Sequence, residues 1–463
     1  MLPDRKILGL PARTVATVAV LLGLVVGAFE GTVVTTAMPT IARELSGMHL
    51  YPWVFSGYLV ASMAGILLAG KLADAFGRRP VFAVGMSLFL VGSALCGTAT
   101  SLAGLVAFRV VQGLGAGAIQ PLAMTVTADL YTLEERARIQ AVFTSSWGIA
   151  SVLGPVLGGF IVTHLSWRWV FLVNVPVGVL AIVVMLASYR DPPREQRPVG
   201  AYGALLGGLA AATALLALEP SHVSTSARLL SLLLAATLLV LFLRDQQRSA
   251  APIVDRAALT DPIVRTGLIT SAFAGAMLHT SAAYVPLWMS LHASGNPMRA
   301  GLALTPLLFG WAIGSSFGVK ILVRRGMRAS VGGGFAVMAV SAVLLSLAVR
   351  WNQLTLAAIA LALTGLGLGP AASTSLVGPQ NQVPHHQRGA VTSAIFASRA
   401  LGGSLAVALV GALPHRARSP DPDASAAFDA LALLALAALS FGLLLSPRGS
   451  LARSEVVVSS RAS

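Results

Sequence analysis

Of the 463 residues, 56% are hydrophobic and only 11% are charged, against roughly a quarter charged in an ordinary soluble domain. With a mean hydropathy of +0.80, these proportions exclude a soluble globular chain and point to a membrane protein. The formal net charge of +15 raises nucleic acid as a partner, a reading that the placement of the charges decides.

Apolar segments of about twenty residues, long enough to cross a hydrocarbon core roughly 30 Å thick, recur from one end of the chain to the other. The predicted spans are 14–38, 52–73, 80–98, 102–128, 139–163, 169–189, 199–218, 227–243, 266–291, 299–320, 330–349, 354–376, 390–412 and 425–446. The first is expected to stay in place rather than be cleaved, because its apolar stretch is too long and no small-residue cleavage pattern closes it. With both termini on the cytoplasmic side of the cell membrane, most of the 32 Lys and Arg residues fall in inner loops and tails. They include Arg78 and Arg79, the group Arg190, Arg194 and Arg197, and the group Lys320, Arg324, Arg325 and Arg328. That asymmetry obeys the positive-inside rule, so the charge is assigned to topology and anionic-lipid contact, and no nucleic-acid partner is expected. The single cysteine, Cys96, lies in an apolar span, so an internal disulfide is impossible.

The first span holds "VVGAFEGTVV" (25–34), where Glu30 is the only acid placed deep within a span. A charge at the bilayer centre costs about 2.5–3.5 kcal/mol on insertion scales, so an intramembrane ion is a functional candidate with a partner to be found. Glu30 is open to three readings: proton carrier, counter-charge for a cationic substrate, or structural partner of an arginine. Arg109 in the fourth span and Arg399 in the thirteenth are the basic candidates. His279, central in "GAMLHTSAAY", is open to substrate contact and to the commoner role of a satisfied interior histidine. His385 and His386 lie in a loop with no metal-ligating cluster, so no metal site is expected.

An internal repeat organises these spans. "GKLADAFGRR" (70–79) after the second span aligns with "VKILVRRGMR" (319–328) after the tenth, matching Lys71 to Lys320, Gly77 to Gly326 and Arg79 to Arg328. "DLYTLEER" (129–136) and "NQVPHHQR" (381–388) repeat at nearly the same offset. The chain therefore reads as two six-helix halves, 1–196 and 250–463, with a helix pair inserted in 197–249. Parallel halves around a midplane site are the layout of an alternating-access transporter.

"GKLADAFGRRP" (70–80) resembles the loop signature that the major facilitator superfamily carries between its second and third helices. "RVVQGLGAGAIQP" (109–121) resembles its fourth-helix motif, "GIASVLGPVLGGF" (148–160) its fifth-helix antiporter motif, and "FEGTVVTTAMPTIA" (29–42) the first-helix motif of its fourteen-helix drug:proton antiporter branch. The resemblance covers essentially the whole chain. It implies an all-α membrane protein of two six-helix bundles plus two central helices, 14 in total. Its function would be proton-coupled export of hydrophobic or cationic small molecules such as drugs. The rival within the same fold is export of lipids or a hydrophobic metabolite.

The resemblance also distributes roles. Gly70, Asp74, Gly77, Arg78 and Arg79 would form the gating loop, with Asp129 pairing Arg78 as a latch closed when the protein faces outward. Glycine permits the tight turn, and Asp74 is placed to accept the free N–H groups at a neighbouring helix start. Val323 stands where Asp74 would repeat, so only the first half can hold this latch. Gly154, Pro155, Gly158 and Gly159 would make a close, bent contact between the halves, against the plainer reading of generic helix packing. Ala150 replaces the glycine that usually opens this motif, and Glu30 replaces the branch's usual aspartate. Arg109 would tune Glu30 in proton coupling. Tyr58, Gln120, His279, Tyr284, Trp288 and Arg399 are the cargo candidates, with Asn381 beyond them, aromatic faces suiting flat or cationic drugs. Trp53, Trp167, Trp169 and Trp351 are expected in interfacial belts. No GxxxxGK[ST] loop or nucleophile–base constellation appears, so neither an ATP-driven pump, an enzyme nor a cofactor is expected. The expected partners are a small-molecule substrate, protons and the bilayer, for a monomeric chain.

Overall fold

The structure, a computed structural model, describes residues 6–7, 9–131, 133–191, 201–218, 225–249, 252–253, 256–292, 302–383, 387–412 and 424–444. Apart from a two-residue antiparallel pairing of Lys6–Ile7 with Leu10–Pro11, its regular structure is helical. In lipid every backbone N–H and C=O must be satisfied internally, and a helix does this within one segment.

In the first compact unit, which comprises Met1–Ile253 and Asn296–Leu302, the helices are α1 (Ala12–Leu45), α2 (Tyr51–Phe76), α3 (Arg78–Gly97), α4 (Leu102–Leu130), α5 (Leu133–His164), α6 (Asn174–Ser188), α7 (Ala201–Ala217) and α8 (Thr225–Arg248). One helical turn, Trp169–Leu172, leads into α6. The second unit holds α9 (Pro262–His292), α10 (Thr305–Arg325), α11 (Met327–Arg350), α12 (Leu354–Gln382), α13 (Arg388–Gly411) and α14 (Ala424–Leu444). Among the described residues 11 helices are long and apolar enough to cross a bilayer. Shorter apolar runs within α5, α7 and α14 stand where three further spans are expected.

Hydrophobicity drives these helices into the membrane but does not bring them together there, so close approach of small residues must. The glycines of α4 serve two neighbours. A Cβ on Gly117 would lie 2.2 Å from the Ser62 carbonyl oxygen of α2, and one on Gly115 would lie 2.2 Å from the Phe89 nitrogen of α3. In the second unit α10 and α12 meet in the same way, at Gly310 against the Ala362 oxygen and Gly365 against the Leu307 oxygen. A core of Val20, Leu24, Phe82, Met86, Phe89, Ile119, Leu122 and Met185 fills the spaces around these crossings in the first unit. In the inserted pair, α7 packs on α2 with Gly208 against Ala64. The leucines of α8, such as Leu230 and Leu233, stay exposed, as a lipid-facing helix requires.

The repeated loop is visible in the backbone. Gly77 before α3 has φ +96° and Gly326 before α11 has φ +85°, the left-handed region open to glycine. One tryptophan departs from expectation: Trp167 is buried, its indole N–H donating to Glu44 Oε2 at 2.7 Å, rather than anchored in an interfacial belt. Trp169 and Trp351 are exposed, in keeping with belts.

The backbone contact at Gly117 leaves no room for a branched side chain. We predict that Gly117→Val sharply lowers the yield of monodisperse protein and its melting temperature in detergent. Gly27→Ala, where a Cβ meets nothing within 4 Å, should leave both unchanged; equal losses in the two variants would refute this packing scheme.

Candidate functional site: a buried charged cluster in the first unit

Glu30 sits near the midpoint of α1, 1% exposed. One carboxylate oxygen pairs with Arg109 Nη1 of α4, and the other accepts from Asn174 Nδ2 of α6 at 2.6 Å. Arg109 Nη1 also donates to Gln112 Oε1 at 2.7 Å, its Nε reaches the Val54 carbonyl at 3.4 Å, and the Tyr58 ring lies 4.0 Å below the guanidinium. Gln112 and Asn174 both donate to Ser93 Oγ, each at 3.1 Å, and that hydroxyl donates onward to the Phe171 carbonyl at 2.9 Å. Five helices thus converge on one carboxylate: α1, α2, α3, α4 and α6. The arrangement meets the condition for a buried charge, which is a partner of opposite sign and hydrogen bonds for the remaining lone pairs.

Chemically the cluster can hold or release one proton at Glu30. With Glu30 ionised the pair is neutral overall. With Glu30 protonated, Arg109 keeps Gln112, the Val54 carbonyl and the Tyr58 ring, so its cation is not stranded. The sequence reading missed Asn174, Gln112 and Ser93. Each is a polar side chain inside an apolar span, and Gln112 is three residues from Arg109, one helical turn along the same face.

At the α2–α3 loop, Arg78 Nε lies 3.3 Å from Asp129 Oδ2 at the end of α4. The Tyr189 hydroxyl donates to the same oxygen at 2.5 Å. Burial first, and then the Asp129 carboxylate, push the Tyr189 phenol far above its usual range, so it remains a donor at any physiological pH. The acceptor at the start of α3 is Asp191, whose Oδ1 takes the backbone N–H of Arg78 at 2.5 Å and of Arg79 at 3.3 Å. Asp74, expected in a task of this kind, has its side chain outside the described residues. An acid at a helix N-terminus complements the free N–H groups and the dipole. It also explains Gly77, where a Cβ would lie 2.6 Å from the Asp191 carboxyl carbon. Arg79 donates to the Leu186 carbonyl, and Gly70 is part-buried.

The antiporter motif also differs from expectation. Gly154 and Gly158 of α5 pack on α1, where their Cβ positions would meet Thr32 Oγ1 at 2.0 Å and Thr36 Cβ at 3.2 Å. Thr32 also donates to the Ala150 carbonyl at 3.2 Å. The close contact lies within the first unit, not between the halves, because the glycine face of α5 is turned toward α1. Pro155 and Gly159 are buried beside it.

Of the cargo candidates, Tyr58 belongs to the charged cluster and Gln120 is part-buried. Tyr284 and Trp288 are buried, with the Tyr284 hydroxyl donating to the Val407 carbonyl at 3.1 Å. The structure packs both rings among helices. His279 is part-exposed and leans on Gly403 of α13, and Arg399 is part-exposed in the same unit. His385 and His386 lie outside the described residues.

A many-spanned helical membrane protein with glycine-rich repeated loops and a buried ion pair is the kind of chain that forms a secondary transporter. The chain belongs to the Major Facilitator Superfamily, whose sequence model matches residues 20–407, and it is a transporter rather than an enzyme. It is 30% identical over 407 residues to the multidrug transporter protein MdtP of Bacillus subtilis, covering 87% of this chain and 75% of that one. To the multidrug resistance protein 3 of the same organism it is 32% identical, over 64% of this chain and 59% of that protein. The multidrug efflux pump SdrM of Staphylococcus aureus is 25% identical over 86% of this chain and 89% of its own length. The fold is similar to that of the POT family transporter PepTSo, with TM-score 0.69 at 15% identity, covering 96% of this chain and 98% of that one. A D-xylose-proton symporter gives TM-score 0.68 at 14% identity, over 95% of this chain and 99% of its own.

Removing one member of a buried ion pair strands the other, which costs about 3–5 kcal/mol. We predict that Arg109→Leu lowers the melting temperature of the purified protein strongly, whereas Glu30→Leu combined with Arg109→Leu recovers most of the loss. Additive losses in the double variant would show that the two side chains do not act as a pair.

Proposed function

We propose that this protein is a proton-coupled exporter of hydrophobic or cationic small molecules such as drugs, working by alternating access. Its setting is the cell membrane, with both termini cytoplasmic, fourteen spans and a monomeric chain. The reading rests on one observation above the others: an ionisable carboxylate, Glu30, at mid-membrane depth with an arginine partner and a full set of donors. The multidrug transport named for MdtP and the multidrug efflux named for SdrM support it.

In this scheme Glu30 takes a proton from one side, which cancels its attraction to Arg109 and loosens α1 from α4. Release of the proton to the other side restores the pair. Carrying one charge through 100 mV yields about 2.3 kcal/mol, enough to drive modest uphill export. The Arg78–Asp129 latch, steadied by Tyr189 and Asp191, is assigned to gating. The α5 glycines are assigned to holding α1, and with it Glu30, in register. A second reading, export of lipids or a hydrophobic metabolite, is favoured by a specific feature. The Glu30 carboxylate has both oxygens engaged, so in this arrangement it offers no free counter-charge to a cation.

The test uses everted membrane vesicles energised to an acidic interior, with a pH-sensitive dye, a panel of cationic and neutral amphiphiles, and Glu30→Gln beside the native chain. Compounds that collapse the gradient only in native vesicles are the expected result. If no compound does so while lipid probes or metabolites still move, the drug reading falls and the second takes its place.

A further inference from the structure

Arg399 lies at the midpoint of α13, in the second unit. Its contrast with Arg109 is in what surrounds it. Among the described residues Nη2 reaches only the Ala372 carbonyl of α12, at a long 3.4 Å, and the Phe396 ring is 5.6 Å away. Nε is buried with no hydrogen-bond partner among the described residues. No ion pair to Arg399 occurs among the described residues, and the composition explains why: the chain has no Asp or Glu between Asp261 and Asp421. Asp261 is spent at the start of α9, accepting from the backbone N–H groups of Ile263 at 2.7 Å and Val264 at 3.1 Å. Asp429 of α14 is held by Arg350 at 2.6 Å and by Ser346.

A guanidinium carries five N–H donors and cannot shed its charge. Held at the middle of an apolar helix on one long hydrogen bond and the Phe396 ring, it meets no acid among the described residues, where such charges otherwise pair with an acid or a row of carbonyls. Chain packing does not seal it, since Arg399 and His279 are both part-exposed. The α9–α13 crossing that positions it is close: a Cβ on Gly275 would lie 2.0 Å from the Arg399 carbonyl oxygen, and one on Gly402 would lie 2.1 Å from the Ala272 oxygen. The guanidinium fork matches two oxygens of a carboxylate, sulfonate or phosphate, and its setting of Phe396 and apolar helix faces suits an aromatic or aliphatic body.

We propose that Arg399 anchors a binding site for the anionic group of an amphiphilic cargo. The inference rests on the export reading but replaces its cationic cargo with an anionic one: with Glu30 neutralised by Arg109, the helix-embedded charge that meets no acid among the described residues is positive and selects an acid. The cargo is a small acid rather than a membrane lipid, because a lipid headgroup sits at the interface and Arg399 at the centre of its helix.

The experiment uses everted vesicles with an acidic interior, the electrical potential clamped, and two permanently charged probes of one ring system, 1-naphthalenesulfonate and 1-naphthylmethyl-trimethylammonium. Neither can be trapped passively by the pH difference. Native vesicles should accumulate the sulfonate; Arg399→Gln should cut that uptake at least about tenfold, the loss expected of a charge-assisted hydrogen-bonded contact, and Arg399→Lys should keep much of it. Sulfonate uptake equal in native and Arg399→Gln vesicles overturns the inference. Uptake of the ammonium probe but not the sulfonate overturns it while the export reading stands. Movement of neither probe overturns it as well, and the gradient-collapse assay then decides separately whether export survives. If Arg399→Gln does not elute as a folded species, equilibrium dialysis with the purified native chain decides. Binding of the sulfonate over the ammonium probe, displaced by 2-naphthoate, supports the site; equal or reversed preference overturns it.

Discussion

The structure depends on a single constraint: a charge inside hydrocarbon persists only where protein supplies the shell that water would have given it. At Glu30 that shell is complete, with Arg109 on one oxygen and Asn174 on the other, and Ser93 and Gln112 closing the ring. Such a pair adds little net stability compared with apolar side chains of the same shape. Its retention therefore fits the proton-coupling role proposed for Glu30. The same constraint read at Arg399, which meets no acid among the described residues, singles out a second place for chemistry.

Backbone proximity is what makes the shell possible. Arg109 and Gln112 can reach Glu30, Ser93 and Tyr58 because the glycines of α4 bring that helix against α2 and α3 at once. On α5, Gly154 and Gly158 approach α1 in the same manner, so α5 packs closely on the helix that carries Glu30. At the α2–α3 loop, Gly77 does the equivalent for Asp191, leaving room for a carboxylate over the first N–H groups of α3. Glycine motifs and charged residues are thus parts of one device, with the small residues setting the distances at which the charged ones meet.

Much of this was legible along the chain. Hydropathy located the helices, the repeat of "GKLADAFGRR" anticipated the paired positive-φ glycines at 77 and 326, and Glu30 and Arg109 were conspicuous as ions in apolar runs. What was not legible were partners drawn from distant segments. Asn174 is 144 residues from Glu30 and Asp191 is 113 from Arg78, and no local pattern links them. The burial of Trp167, Tyr284 and Trp288 was hidden for a related reason: an aromatic in an apolar span reads alike whether it faces lipid, a cavity or another helix.

The sequence by itself determined that this chain is a many-spanned helical membrane protein of the major facilitator family. Lipid leaves an apolar segment few alternatives to the helix, and the motifs are contiguous stretches. Only the tertiary structure decided which ions are paired. Glu30 and Arg109 meet across two helices while Arg399 meets no acid among the described residues, an outcome set by helix rotation and approach, which side chains far apart in the chain jointly determine.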